Sequence, residues 1–232
     1  MNNIAKSISI NIPQLETSVL WIDAYDVLRE AILNGFIEQG EQLNERILSE
    51  KLGISRGPIR EAIRLLEKEG LAYSKPNRGA IVKVFKDKDV VEVLSVREVL
   101  EPLAIRLAFS STSNNVICAQ LNCALDEMFR FSRDNDSSAF AKAHTSFHQV
   151  FFCNSGNDLL VRIWNILEGP LRIYALVSGQ RLHNFEEMAQ EHGRIFELAS
   201  NGDIQALENE MRMHILVNKD RIISSITSSV DN

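Results

Sequence analysis

From Val19 onward, apolar residues recur every three or four positions: Val19, Ile22, Val27, Leu28, Ala31 and Ile32, with charges between them. That spacing predicts a helix. Asn34-Gly35 ends it, since glycine takes the left-handed cap without a steric penalty. A short connection over residues 36–43 turns at Gly40. A second helix is expected over 44–52, with Asn44 as N-cap and Gly53 as breaker. Ser55 is placed to cap a third helix, with Pro58 in its first turn, where a missing N–H costs nothing. Ile59, Ala62, Ile63, Leu65 and Leu66 carry that helix to Gly70. Two extended runs, 71–74 and 80–84, flank the turn Lys75-Pro76-Asn77-Arg78-Gly79 and predict a β-hairpin. A charged linker follows at 85–89, and beyond it the pattern is helical throughout. Breaks near 111–115, 134–138, 154–157, 179–184 and 200–203 divide that region into about six helices. The fold class expected is mainly α: a flexible polar arm over 1–18, a winged helix-turn-helix over 19–85, and an all-helical bundle over 86–232.

Charge changes the picture once it is divided along the chain. The net value is −6, which argues against a nucleic-acid partner. Residues 19–86 carry 11 Lys and Arg against 10 Asp and Glu, whereas 87–232 carry 13 against 20. The acidity therefore belongs to the helical region. A balance of +1 is still weak attraction for a phosphate backbone, so a homodimer with arginines gathered on one face is expected. No apolar run approaches the ~20 residues of a membrane span, and the first residues lack the apolar core of a secretory signal. The three cysteines, Cys118, Cys123 and Cys153, form no CxxC pair. Buried apolar residues in a reducing, cytoplasmic compartment are the expectation.

The order helix, short helix, tight turn, helix, hairpin places chemistry suited to DNA. The third helix opens Ser55-Arg56-Gly57-Pro58-Ile59-Arg60, and Arg56, Arg60 and Arg64 share one face. An arginine entering the major groove grips guanine O6 and N7 with two parallel bonds. Gly57 keeps the entry end slim, and a helix N-terminus favours phosphate. Arg46 lies on the second helix, which crosses the backbone, while Lys75 and Arg78 at the hairpin tip reach the minor groove. The plainer alternative is that these arginines form surface ion pairs with Glu61, Glu67 and Glu69.

These residues also carry a resemblance. Leu28-Arg29-Glu30-Ala31-Ile32, Leu43-Asn44-Glu45, the run from Leu52 to Leu66, Glu69-Gly70-Leu71 and Arg78-Gly79-Ala80 resemble the GntR regulator superfamily. The resemblance implies that Arg46, Arg56 and Arg60 contact DNA, with Gly79 at the wing tip.

Four of the five histidines fall in suggestive places. His144 and His148 are four residues apart on one helical face, His192 opens another helix and His214 lies on the last. Four imidazoles from three helices can surround one divalent ion, zinc or nickel best. Satisfied or solvent-facing histidines are the alternative. Around them, Val96-Arg97-Glu98-Val99-Leu100-Glu101-Pro102, Phe147-His148, Ser155-Gly156-Asn157, Glu191-His192, Gly202-Asp203 and Met211-Arg212-Met213-His214 resemble the FCD effector domain of the FadR branch. The resemblance implies a metal held by an Asp and three His beside a pocket for a small carboxylate. His148, His192 and His214 match the three histidines, and His144 stands where the Asp usually is. It also implies that Arg97 pairs with the effector, against an internal pair with Glu101 or Glu98. Arg172 is a second effector candidate.

The expected protein is thus a ligand-responsive regulator. It binds a short palindromic operator in double-stranded DNA as a homodimer and answers to a small organic acid. The rival expectation is a metal-dependent hydrolase built on the histidines, with Glu191 as its one obvious base.

Overall fold

In the computed structural model, residues 20–182 and 185–230 are described. The expected arm over 1–18 and His183 lie outside them. Helix α1 (Leu20–Leu33) leads to strand β1 (Gln42–Leu43), then to α2 (Glu45–Leu52) and α3 (Arg56–Glu69). Strands β2 (Ala72–Lys75) and β3 (Gly79–Val82) complete the head. Asn44 caps α2 as expected, its side chain accepting from the N–H groups of Arg46 and Ile47. Ser55 occupies the cap position of α3 but makes no side-chain capping bond. That correction leaves the N-terminal amides of α3 without a side-chain acceptor from Ser55.

The hairpin strands run over 72–75 and 79–82 in place of the expected 71–74 and 80–84, and β1 is an addition to them. Only two residues long, β1 is too short for alternation to register. It pairs antiparallel with β3, Gln42 opposite Ile81, so β3 is the central strand of a three-stranded sheet. Asn77 and Gly79 take left-handed backbone at the wing turn, with φ of 62° and 71°. Leu28, Ile32, Leu33, Leu43, Ile59, Ile63, Leu66 and Val82 form the core of the head.

The charged stretch at 85–89 is not all linker, a further correction. Helix α4 (Asp87–Ser111) begins inside it. Asp87 and Asp89 occupy its first turn, where anions favour the helix dipole, and Asp89 accepts from the Lys86 N–H. Five more helices follow: α5 (Asn114–Asp134), α6 (Ser137–Cys153), α7 (Asp158–Leu182), α8 (Phe185–Asn201) and α9 (Ile204–Val230). Helix α4 packs chiefly on α9, α5 on α6 and α8, and α6 on α7. Phe140, Phe147, Phe151, Phe152 and Trp164 are fully buried between them.

Helix α7 belongs to both units. Leu160 and Trp164 lie in the bundle core, while Ile173 lies in the core of the head. Arg172, only 2% exposed, donates to both carboxylate oxygens of Glu30 on α1 at 2.8 and 3.0 Å, and to Asn34 Oδ1. Arg29 on α1 joins Glu69 of α3 to Glu168 of α7. A Cβ on Gly169 would stand 2.9 Å from Leu71, so the absence of a side chain is what lets the head approach.

Arg172→Ala is expected to strip Glu30 of its bidentate partner and cost about 2–4 kcal/mol. Urea unfolding followed by two probes, one in each unit, should then separate into two transitions. A coincident, unshifted transition would mean that this ion pair does not hold the units together.

Candidate functional site

The exposed end of the head gathers the cations. Ser55, Arg56, Gly57, Arg60 and Arg64 of the α3 region are all exposed, as are Arg46 on α2 and Lys75, Arg78 and Gly79 at the wing. A Cβ on Gly57 would meet nothing within 4 Å. The chain itself therefore does not demand a glycine there, and the slimness is available to an outside partner. Three of the arginines are paired, Arg64 with the expected Glu61 and Arg60 and Arg46 with carboxylates that were not expected. Arg60 grips Glu45 of α2 at 2.8 and 3.1 Å, Arg64 meets Glu61 at 2.7 Å and Arg46 meets Glu50 at 2.9 Å. Glu69 instead serves Arg29, and Glu67 accepts from Ser74. The Arg60 guanidinium holds the Glu45 carboxyl below its ordinary range. Such solvent-exposed pairs are weak and easily screened, too little to keep an arginine from phosphate or guanine.

About a hundred residues downstream, α6, α8 and α9 bring His144, His148, His192 and His214 together. One ring nitrogen from each lies within 4.8 Å of those of the others. His148 and His192 are fully buried and His144 nearly so. Their orientation follows from what their other nitrogens touch. His148 Nδ1 is 2.9 Å from Glu101 Oε2, and His192 Nδ1 is 2.7 Å from the Met188 carbonyl. An ionised carboxylate and a carbonyl can only accept, so both Nδ1 atoms carry the proton. Each Nε2 is then a bare lone pair, and these two atoms face each other at 3.1 Å. Two acceptors at that distance repel unless a cation lies between them. Nitrogens sharing one tetrahedral zinc are roughly 3.3 Å apart. His144 Nδ1 is buried and makes no hydrogen bond among the described residues. The Glu191 carboxylate lies 3.5 Å from His214 Nδ1. The donor set therefore fits a borderline divalent metal such as zinc or nickel.

Burial first, then neighbouring positive charge including Arg97, holds His144 and His148 well below the usual imidazole range. Burial also lowers His192, with its histidine neighbours adding to the effect. All three are neutral, the form that ligates.

Arg97 and Arg172, both effector candidates, separate. Arg97, 3% exposed, donates its Nε to Glu101. Its Nη2 is buried and makes no hydrogen bond among the described residues. The internal pair and a free donor thus coexist in one side chain. Arg172 is corrected: its two terminal nitrogens bond Glu30 and Asn34 between the two units, which places it away from the histidine site, while its Nε is buried without a hydrogen bond among the described residues. Sequence reasoning missed Glu101, Glu191 and the Met188 carbonyl as groups that orient the imidazoles. Glu101 was visible as a partner four residues from Arg97. Nothing in the sequence marks its second oxygen as reaching a histidine 47 positions away.

Together these features define a class: a winged-helix DNA-reading head joined to a helical ligand-binding domain. Two family models match in that order, bacterial regulatory proteins of the gntR family over residues 22–82 and the FCD domain over 92–216. The chain belongs to the GntR family of transcriptional regulators, in the branch that carries an FCD domain. It is similar to the HTH-type regulator YdhC of Bacillus subtilis, 28% identical over 84% of this chain and 87% of that one. It is also similar to the gluconate operon transcriptional repressor of Bacillus licheniformis, 26% identical over 71% and 69%. A GntR regulator from Rhodococcus sp. RHA1 has the same fold at a TM-score of 0.79 and 19% identity, covering 89% of this chain and 99% of that one. No described helix is long and apolar enough to cross a membrane.

The buried imidazoles make a pH prediction whose sign is definite. Above about pH 6.5 they are neutral in both folded and unfolded chains. Below it the unfolded chain takes up protons that the folded one refuses. Metal-free protein is therefore expected to lose up to about 1.4 kcal/mol per pH unit for each such histidine as pH falls. Melting of chelator-treated protein between about pH 8 and pH 5 checks this, and His192→Gln should flatten the profile.

Proposed function

We propose that this protein is a ligand-responsive regulator in which His144, His148, His192 and His214 hold one divalent metal, zinc or nickel, beside a site for a small organic acid. The observation that carries the reading is the pair of buried, unsatisfied nitrogens, Arg97 Nη2 and His144 Nδ1, in one polar site. An unsatisfied buried donor costs about 1–3 kcal/mol. A carboxylate accepting from Arg97, and a metal accepting the lone pair of a neutral His144, would remove both penalties. With four neutral ligands the metal keeps its full double charge, which favours an anionic effector more than a site with an aspartate would. The metal's role is that of a Lewis acid that anchors the anion.

Helix α7 offers the route to the head. Trp164 lies against His148, ring centroids 6.5 Å apart, and Arg172 two turns on holds Glu30 of α1. An effector shifts operator binding by its differential affinity for two placements of that helix. A homodimer presenting two α3 helices and two wings to a short palindrome in double-stranded DNA supplies the affinity that one nearly neutral head lacks. Arg46, Ser55, Arg56, Gly57, Arg60, Arg64, Lys75, Arg78 and Gly79 form that DNA face. The hydrolase reading lacks a free base, because Glu191 is engaged with His214.

In vitro selection of bound DNA, followed by binding of Arg56→Ala and Arg60→Ala, tests the head. Each substitution is expected to cost about 1–3 kcal/mol at its own base positions. Loss of both without loss of operator binding would overturn the reading. For the pocket, untagged protein should contain about one metal per chain, and His144→Ala should lower that affinity. Small organic acids should raise the melting temperature of the metal-loaded protein but not of Arg97→Gln.

A further inference from the structure

We propose that Glu101 is the positioning residue of the histidine centre, setting the ligating face of His148 and the aim of Arg97 together. Glu101 is fully buried on α4 with both carboxylate oxygens used. Oε1 accepts from Arg97 Nε and Oε2 accepts from His148 Nδ1–H. A carboxylate without solvent needs such partners, because an unpaired buried charge is far too costly to keep. Arg97 alone would meet the charge requirement as an i,i+4 pair on the same helix. The second oxygen does something that pairing does not require. It confines the His148 proton to Nδ1, so Nε2 faces the other three imidazoles as a lone pair. It also draws electron density toward that nitrogen and makes it a better donor to a divalent cation.

The same carboxylate shapes the anion side. By engaging only Nε of Arg97 it leaves Nη2 buried and without a hydrogen bond among the described residues. One carboxylate thereby ties a cation subsite to an anion subsite. His192 is oriented by a backbone carbonyl, and His214 lies beside Glu191, whose other oxygen is 3.5 Å from the half-exposed Arg221 and not from a buried cation. The simpler account is that Glu101 only knits α4 to α6. That account predicts a stability defect and no effect on metal binding.

The inference rests on the proposed metal site, and its test separates the two. Untagged, chelator-stripped protein and Glu101→Gln are titrated with cobalt(II), read by its visible absorption, and with zinc in competition. Glu101→Gln is isosteric but lacks the charge. It is expected to weaken zinc binding about 10–100-fold and to alter the cobalt spectrum. Wild type that binds no cobalt overturns the metal reading and this inference with it. Wild type that binds cobalt, with Glu101→Gln matching it in affinity and spectrum, overturns the role of Glu101 alone, whatever the melting temperature does. If Glu101→Gln does not fold, nitrogen NMR of the histidines in metal-free wild type decides. His148 should appear as the Nδ1–H tautomer, and the Nε2–H tautomer sinks the proposal.

Discussion

The structure depends on one helix serving two cores. Helix α7 buries Trp164 in the bundle and Ile173 in the head, and its middle carries Glu168, Gly169 and Arg172 into the space between. Charged groups there are affordable only because each has a partner. Arg172 is matched to Glu30, and Arg29 bridges Glu69 and Glu168. Losing one partner would leave the other buried or half-buried without compensation, so the seam behaves as a unit. The head consequently does not hang from a loose tether. Lys83 to Lys86 are themselves tied down, through Lys83 N to the Leu71 carbonyl and Phe85 N to the Gln39 side chain.

Opposite arrangements of charge distinguish the two working ends. At the head, the arginines stand in water and pair weakly with Glu45, Glu50 and Glu61. Those pairs keep the free protein nearly neutral there, and a phosphate backbone can replace them cheaply. Inside the bundle, His144, His148, His192, Arg97 and Glu101 are buried, with Phe147 against two of the imidazoles, and there is little water to exchange with. Every polar atom in that setting must be satisfied by the chain or by something that enters. Orientation is divided among Glu101, the Met188 carbonyl and Glu191, and each of these acts on a different histidine.

Much of this was legible in the chain because its signals are local. Helical periodicity, the Asn44 cap, the glycine breaks and the wing turn each depend on a few consecutive residues, and the helix count of the bundle followed from them. The spacing of Arg56, Arg60 and Arg64 showed a cationic face, because residues four apart on a helix must share one. The candidate metal ligands were readable for the same reason at His144 and His148. His192 and His214 were visible only as histidines on two further helices, and resemblance to a family of helical effector domains matched them to a ligand set.

What stayed hidden involves contacts between residues distant in sequence. Two-residue β1 has no period to detect, and it exists only because β3 offers an edge. Arg172 reads from sequence as a cation near a pocket, and only the packing of α7 against α1 turns it toward Glu30. Glu101 reads as a helical partner of Arg97, yet a carboxylate has two oxygens, and the fold determines where the second one goes. By itself, the sequence determined the elements, their order and the chemical types available, because these follow from local sterics and periodicity. Only the tertiary structure decided which charges face water, which face each other and which lone pairs converge, because burial and partner distance set those energies.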